Sequence, residues 1–303
     1  MGKPIQLIIL VLVLSQSHAF SQNISNDTRI TKSCSQHKSG LSGTLGTYAN
    51  PPRFEDGRID LKGLITELKN IHANTYNWLI RTNHDDLGTL KLFLPLARKS
   101  KLKVWATLVP PSEPPPSEPF KLDYERWATE LAMLSLAEPN LIAWSIDDFV
   151  HNLKLFTPEY VEKFLADACA INPKLAFMPC CYLKQITPSF VANYGHLLDG
   201  ILFPYRAESV GANLKDASLV ENEITKLHEM FGPKFPIVLD IYASGHSHLG
   251  ASTPEYVKEV LDAGLKTADG VLIFRHQDPV KSSAKYQIIK KGFRKGFRQK
   301  NPN

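Results

Sequence analysis

Eight alternations of a short apolar run with a helical pattern predict an α/β chain folded as a single-domain (β/α)8 barrel, a TIM barrel. Two further observations support that reading. The apolar runs are continuous rather than alternating, as strands buried on both faces of a parallel sheet require. No glycine-rich phosphate loop follows the first strand, so the usual mark of a doubly wound nucleotide-binding sheet is missing. At 303 residues and 43% hydrophobic the chain can bury a large core, and 21% charged residues exclude wholesale disorder.

The units run in order from Ser42. A β-rich run at Thr44–Tyr48 passes through the turn-rich stretch from Asn50 to Gly57 into a helical pattern over Leu61–Ile71. Strand Thr75–Ile80 leads to helix Asp85–Lys99, and strand Lys103–Leu108 to helix Asp123–Leu136. Between the last two lies the proline-rich stretch Pro110–Pro119, too short for a domain linker and read as an extended loop on the barrel rim. Strand Leu141–Ile146 precedes helix Pro158–Ala170, and strand Leu175–Cys181 a shorter helix at Pro188–Leu197. Then follow strand Gly200–Phe203, helix Ala217–Met230, strand Ile237–Tyr242, helix Pro254–Leu265, strand Gly270–Phe274 and a final basic helix. Three helices open on Thr-Pro, at Thr157, Thr187 and Thr253, a capping hydroxyl followed by a proline with no N–H to waste.

The chain divides into residues 1–21 as an export signal, 22–40 as a flexible polar leader and 41–303 as the barrel with its basic C-terminal helix. Lys3 supplies the basic start, Leu7 to Leu14 the apolar centre, and Ala19 and Ser21 the small residues ahead of a cleavage point at Gln22. The apolar run falls short of the about 18–20 residues a bilayer span needs. Cys34 follows Thr-Lys-Ser and so lacks a lipobox. The expected location is therefore secreted or periplasmic, with no membrane span in the mature chain. Asn23 and Asn26 head sequons that matter only in a eukaryotic secretory host. Of the four cysteines, Cys34, Cys169, Cys180 and Cys181, one or two pairs could bond, and the adjacent Cys180 and Cys181 point to opposite faces of one strand.

The net charge of +5 has a local origin. Eight basic residues and no acid follow Asp278, so the rest of the chain is net acidic. In the last helix Tyr286, Ile288, Ile289, Phe293 and Phe297 form an apolar stripe, which reads as a barrel helix with a solvated basic face. Nucleic acid is not an expected partner; an acidic polysaccharide stays open.

Side chains at the carboxyl ends of barrel strands converge on one mouth. Those positions supply Tyr48, Asn77, Trp78, Trp105, Trp144, Tyr205, Arg206, Tyr242, His246, Arg275, His276 and Gln277 as candidate substrate-binding residues. Aromatic faces stack on sugar rings and the polar groups bond to hydroxyls, so the expected ligand is an oligo- or polysaccharide. Asp147 and Asp148, directly after the fourth strand, and Asp240, inside the seventh, are candidate catalytic carboxylates, with Glu208 the alternate acid. Strand alternation sends Asp147 and Asp148 to opposite sides. No spacing indicates a zinc site, and no metal or cofactor is expected; His246 and His248 read as substrate contacts.

On this rim and architecture, from Ser42 to Phe297, the chain resembles the secreted (β/α)8 glycoside hydrolases of polysaccharide-degrading bacteria. The Asn-Glu pair that many of them carry at strand four is replaced here by Asp147-Asp148, and the DxxDxDxE run of chitinase-like barrels is absent. The resemblance implies a glycoside hydrolase. Two alternatives stay open: a saccharide-binding barrel without catalysis, and a lyase on an acidic polysaccharide in which Arg206 or Arg275 neutralises the uronate.

Overall fold

In a computed structural model the described residues are 40–81 and 83–300, with side chains described to residue 296. The expected export signal, the leader up to residue 39 with its sequons and Cys34, and the side chain of Phe297 lie outside them.

Eight parallel strands make one sheet: β1 (Thr44–Ala49), β2 (Thr75–Ile80), β3 (Lys103–Leu108), β4 (Leu141–Ile146), β5 (Ala176–Phe177), β6 (Ile201–Pro204), β7 (Ile237–Tyr242) and β8 (Gly270–Phe274). The hydrogen-bonded order is β5-β4-β3-β2-β1-β8-β7-β6. Closure comes from the two outer strands, where Cys180 bridges Leu202 in parallel; Cys181 N–H donates to Leu202 O and Leu202 N–H to Pro179 O, each at 3.0 Å. Each strand is followed by a helix: α1 (Leu61–Asn70), α2 (Asp86–Lys99), α3 (Tyr124–Ala137), α4 (Pro158–Ile171), α5 (Pro188–Tyr194), α6 (Val220–Phe231), α7 (Pro254–Thr267) and α8 (Ser283–Lys300). The chain is an α/β TIM barrel, as the alternation of its sequence predicts.

The weakest strand is β5. The sequence suggests a run to Cys181, yet regular pairing stops at Phe177 because Pro179 has no N–H to offer its neighbour. All three Thr-Pro starts cap as expected, each threonine hydroxyl accepting from the N–H three residues on.

Burial divides into two layers. An inner cluster inside the barrel holds Tyr48, Leu79, Trp105, Ala143, Met178, Leu202, Val238 and Leu272. A larger outer cluster fills the space between strands and helices. The period of two along a strand decides which layer a residue joins. It sends three of the expected mouth residues outward. Trp78 packs on Phe93 of α2, Trp144 on Phe164 of α4, and Tyr205 stacks on Tyr256 of α7 while its hydroxyl donates to Asp216 O. Reading strand ends without their parity is what placed these three at the mouth; they are core.

In α8, Tyr286, Ile289 and Phe293 are buried, and Lys291, Arg294 and Lys295 are exposed. No helix among the described residues is long and apolar enough to cross a membrane. Cys169 is disulfide-bonded, and Cys180 and Cys181 are buried free thiols.

Where β1 and β2 approach, Gly46 leaves no room for a side chain: a Cβ there would lie 1.9 Å from Thr75 O. Gly46→Ala must therefore force the two strands apart, and we expect a loss of about 2 kcal/mol or more in urea unfolding. An unchanged midpoint would mean that this contact does not constrain the barrel.

Candidate active site

The site grows from the end of β4. Asp147 N–H still donates to Leu108 O of β3, at 2.9 Å, so Asp147 keeps the inward parity of the strand. Asp148 then adopts a left-handed conformation, φ 42°, and starts a 3-10 turn over Phe149–Asn152. Aspartate tolerates this region better than most residues. The turn overrides strand alternation: the carboxylates of Asp147 and Asp148 and the Cys180 thiol come within 4.8 Å of one another, where alternation alone would send the two acids apart.

Asp147 is held on several sides. Tyr48 Oη donates to its Oδ2 at 2.6 Å, and Asp148 N–H to its Oδ1 at 3.0 Å. Burial and the neighbouring Asp148 push its pKa up; the bonds from Tyr48, Cys180 and Asp148 N–H pull against that.

A third acid joins from the proline-rich loop. Ser117 anchors that loop beneath β2 and β3, donating to Ile80 O at 2.6 Å and accepting from Val109 N–H at 2.8 Å. Asn152 of the 3-10 turn binds it again, accepting from Ser112 N–H and donating to Ser112 Oγ. Glu113, held between these anchors, reaches the Asp148 carboxylate. Burial, then the charges of Asp147 and Asp148, raise its pKa to about 7, against which Arg81 at 3.6 Å works only partly. The sequence reading missed Glu113. The available signal was its place: an acid in a proline-stiffened connection after a barrel strand.

Asp240 points inward from β7, 1% exposed, with Oδ1 lacking any donor. Burial, then the charge of Asp147, pushes its pKa well up. Glu208 has a different place. Its carboxylate accepts from Lys184 N–H at 2.7 Å and is clasped by the Arg206 guanidinium, which lies 4.0 Å over the Tyr182 ring. That clasp ties the loop after β6 to the loop after β5 and leaves Glu208 no free edge for catalysis.

Tyr242 and His246 stay at the mouth. Tyr242 Oη lies 3.5 Å from Tyr182 Oη, and His246 stands edge-on to the Tyr242 ring. Asn77 and Trp105 face inward but are fully buried below the acids; Asn77 Oδ1 accepts from Thr107 Oγ at 2.7 Å. The last strand end differs from expectation. His276 turns to the outer side, stacked on Tyr76 with Nδ1 at 3.3 Å from Thr47 Oγ, and burial lowers its pKa to about 4. Arg275 is exposed with φ 66°, its guanidinium over Phe274, and Gln277 donates to Arg275 O. The left-handed turn at Arg275 ends the inward parity of β8, so His276 packs on Tyr76 and Thr47 instead of facing the mouth as a substrate contact.

Asp147, Asp148 and Cys180 are the one group of three metal-type ligands among the described residues. Cys180 is poorly suited to the role: burial and the surrounding acids push its thiol well up, and it already serves as a donor to Asp147. With Tyr48 and Asp148 N–H also on Asp147, the set is built as a hydrogen-bonded carboxylate rather than an open ligand cage.

No protein-family model matches the chain, and no curated protein matches it in sequence. Solved structures do match. A glucosidase from Croceicoccus marinus has 12% identity and a TM-score of 0.60, over 86% of this chain and 69% of that one. The catalytic domain of a Thermobifida fusca endoglucanase, in complex with cellotetraose, has 11% identity and a TM-score of 0.59, over 83% and 91%. A GH2 beta-galacturonidase from Eisenbergiella tayi, bound to galacturonate, has 13% identity and a TM-score of 0.56; this chain spans about half its length. Its structural neighbours are glycoside hydrolases. At these identities the likeness carries the fold.

Cys180 and Cys181 should ignore Ellman's reagent in the native protein, since burial keeps both thiols protonated and covered. Both should react once guanidinium unfolds the chain. Rapid native labelling of either would show that the β5 closure opens readily.

Proposed function

We propose that the chain is an exported glycoside hydrolase in which Glu113 is the proton donor and Asp147 the opposing carboxylate. One observation carries the reading: a carboxyl with pKa about 7 beside an anchored carboxylate at the barrel mouth. Glycoside cleavage needs that asymmetry, one acid still protonated at working pH and one group able to meet positive charge at the anomeric carbon. Glu113 gives its proton to the glycosidic oxygen as the bond to the anomeric carbon breaks. Asp147, oriented by Tyr48 and Asp148 N–H, faces the developing oxocarbenium ion, and water completes the hydrolysis. Tyr182 and Tyr242 supply the aromatic wall. Export rests on the pattern of residues 1–21.

The lyase alternative needs an arginine free to neutralise a uronate. Arg206 is committed to Glu208, and Arg275 stacks on Phe274 in solvent. Both facts favour hydrolysis.

The test is release of nitrophenol from a panel of aryl glycosides and of reducing ends from polysaccharides. Because the folded pKa of Glu113 is raised, its proton is present below about pH 7 and lost above it, so kcat/KM should fall as pH rises through about 7. Glu113→Gln should lower kcat by about 10²–10⁴ and remove that limb. Asp148→Asn, by deleting a like charge, should move the limb to lower pH. A Glu113→Gln protein with full activity and an unchanged profile would reject the assignment.

A further inference from the structure

The chemistry above uses two carboxyls, yet the mouth holds four: Glu113, Asp147, Asp148 and Asp240. Of these, Asp147 and Asp148 lie side by side, and no nearby cation closes on them. Arg206 is closed on Glu208, Arg81 approaches Glu113 only to 3.6 Å, and His151 Nδ1 approaches Asp148 only to 3.8 Å. His246 is pushed down by burial and by Arg206, so it is neutral at pH 7. Acceptors also outnumber donors. Asp240, 1% exposed and near enough to Asp147 for the two charges to repel, keeps Oδ1 without a donor among the described residues. A buried acceptor left unmatched costs about 1–3 kcal/mol and calls for a donor from a ligand.

We propose that this site, on the hydrolase reading above, takes a saccharide bearing a free amine next to the anomeric carbon, a 2-amino-2-deoxy sugar, whose ammonium sits among Asp147, Asp148 and Asp240. The chemistry of the sugar fits the layout. The 2-position is one bond from the anomeric carbon, so a charge there lies beside whichever carboxylate faces that carbon. An ammonium brings three donors and a positive charge to a site rich in acceptors and negative charge. An N-acetyl group brings one donor and no charge, a neutral hydroxyl no charge, and a uronate the wrong charge.

Binding and cleavage are measured on one panel, with the full chain freed of metal by EDTA: tetramers of glucosamine and of galactosamine, their N-acetylated forms, and neutral glucose and galactose tetramers. Calorimetry and thermal shift should favour a free-amine tetramer by about tenfold or more. Asp148→Asn and Asp240→Asn should each shrink that preference. Asparagine tolerates the left-handed backbone at 148 and is isosteric at 240, so both variants should fold. Equal or tighter binding of acetylated or neutral sugars overturns the proposal, as does no binding of any amine. Cleavage confined to neutral or acetylated tetramers overturns it while upholding the hydrolase. Amine-selective binding without cleavage upholds it and overturns the hydrolase. A thermal shift from calcium or zinc alone that Asp148→Asn abolishes, with no amine preference, makes this a metal site and also overturns it.

Discussion

Closing eight short parallel strands on themselves sends every second side chain into an interior without solvent, and the other features of this chain are arranged around that constraint. Closure here is thin. It relies on the bridge between Cys180 and Leu202, because Pro179 interrupts β5 before regular pairing can extend. The interior accommodates Trp105 and Met178 in one cluster with the small Ala143 and Ala176, and Gly200 leaves room for the Met178 sulfur, which a Cβ there would meet at 2.7 Å. Where the strands end, the same convergence gathers polar groups that would otherwise face separate patches of solvent.

Carboxylates brought together this way repel one another and lose hydration, and the site distributes that burden unevenly. Asp147 receives a tyrosine hydroxyl, a backbone N–H and a thiol. Glu113, with a distant arginine and two acids for neighbours, holds its proton to about pH 7. Asp240, 1% exposed, is pushed well up by burial and by Asp147. Similar side chains thereby acquire different protonation states from their surroundings alone, which is how one mouth can present both an acid and a base.

The loops do the positioning. Ser117 and Asn152 fasten the proline-rich connection at both ends of its approach to the mouth, so that Glu113 sits on a braced segment. The pair formed by Arg206 and Glu208 fastens the loops after β5 and β6 and carries Tyr182 with it. A buried pair of this kind orders its surroundings more than it stabilises them, since desolvation offsets much of the attraction.

How much of this was legible follows from which forces are local. Hydrophobic period, proline and threonine at helix starts, and continuous apolar runs are local properties, and from them the sequence alone determined the barrel, the order of its units, and the places of Asp147 and Asp148 after the fourth strand and of Asp240 within the seventh. Parity was legible too, since the expected limits of β2 and β4 are the observed ones; taking strand ends without it assigned Trp78, Trp144 and Tyr205 to the wrong face. Three things were decided by tertiary structure alone. The left-handed turn at Asp148 brought both acids to one side, contacts from Ser117 and Asn152 brought Glu113 to them, and Arg206 took Glu208 out of reach. Each depends on residues far apart in the chain or on a single backbone angle, and neither leaves a periodic trace in the sequence.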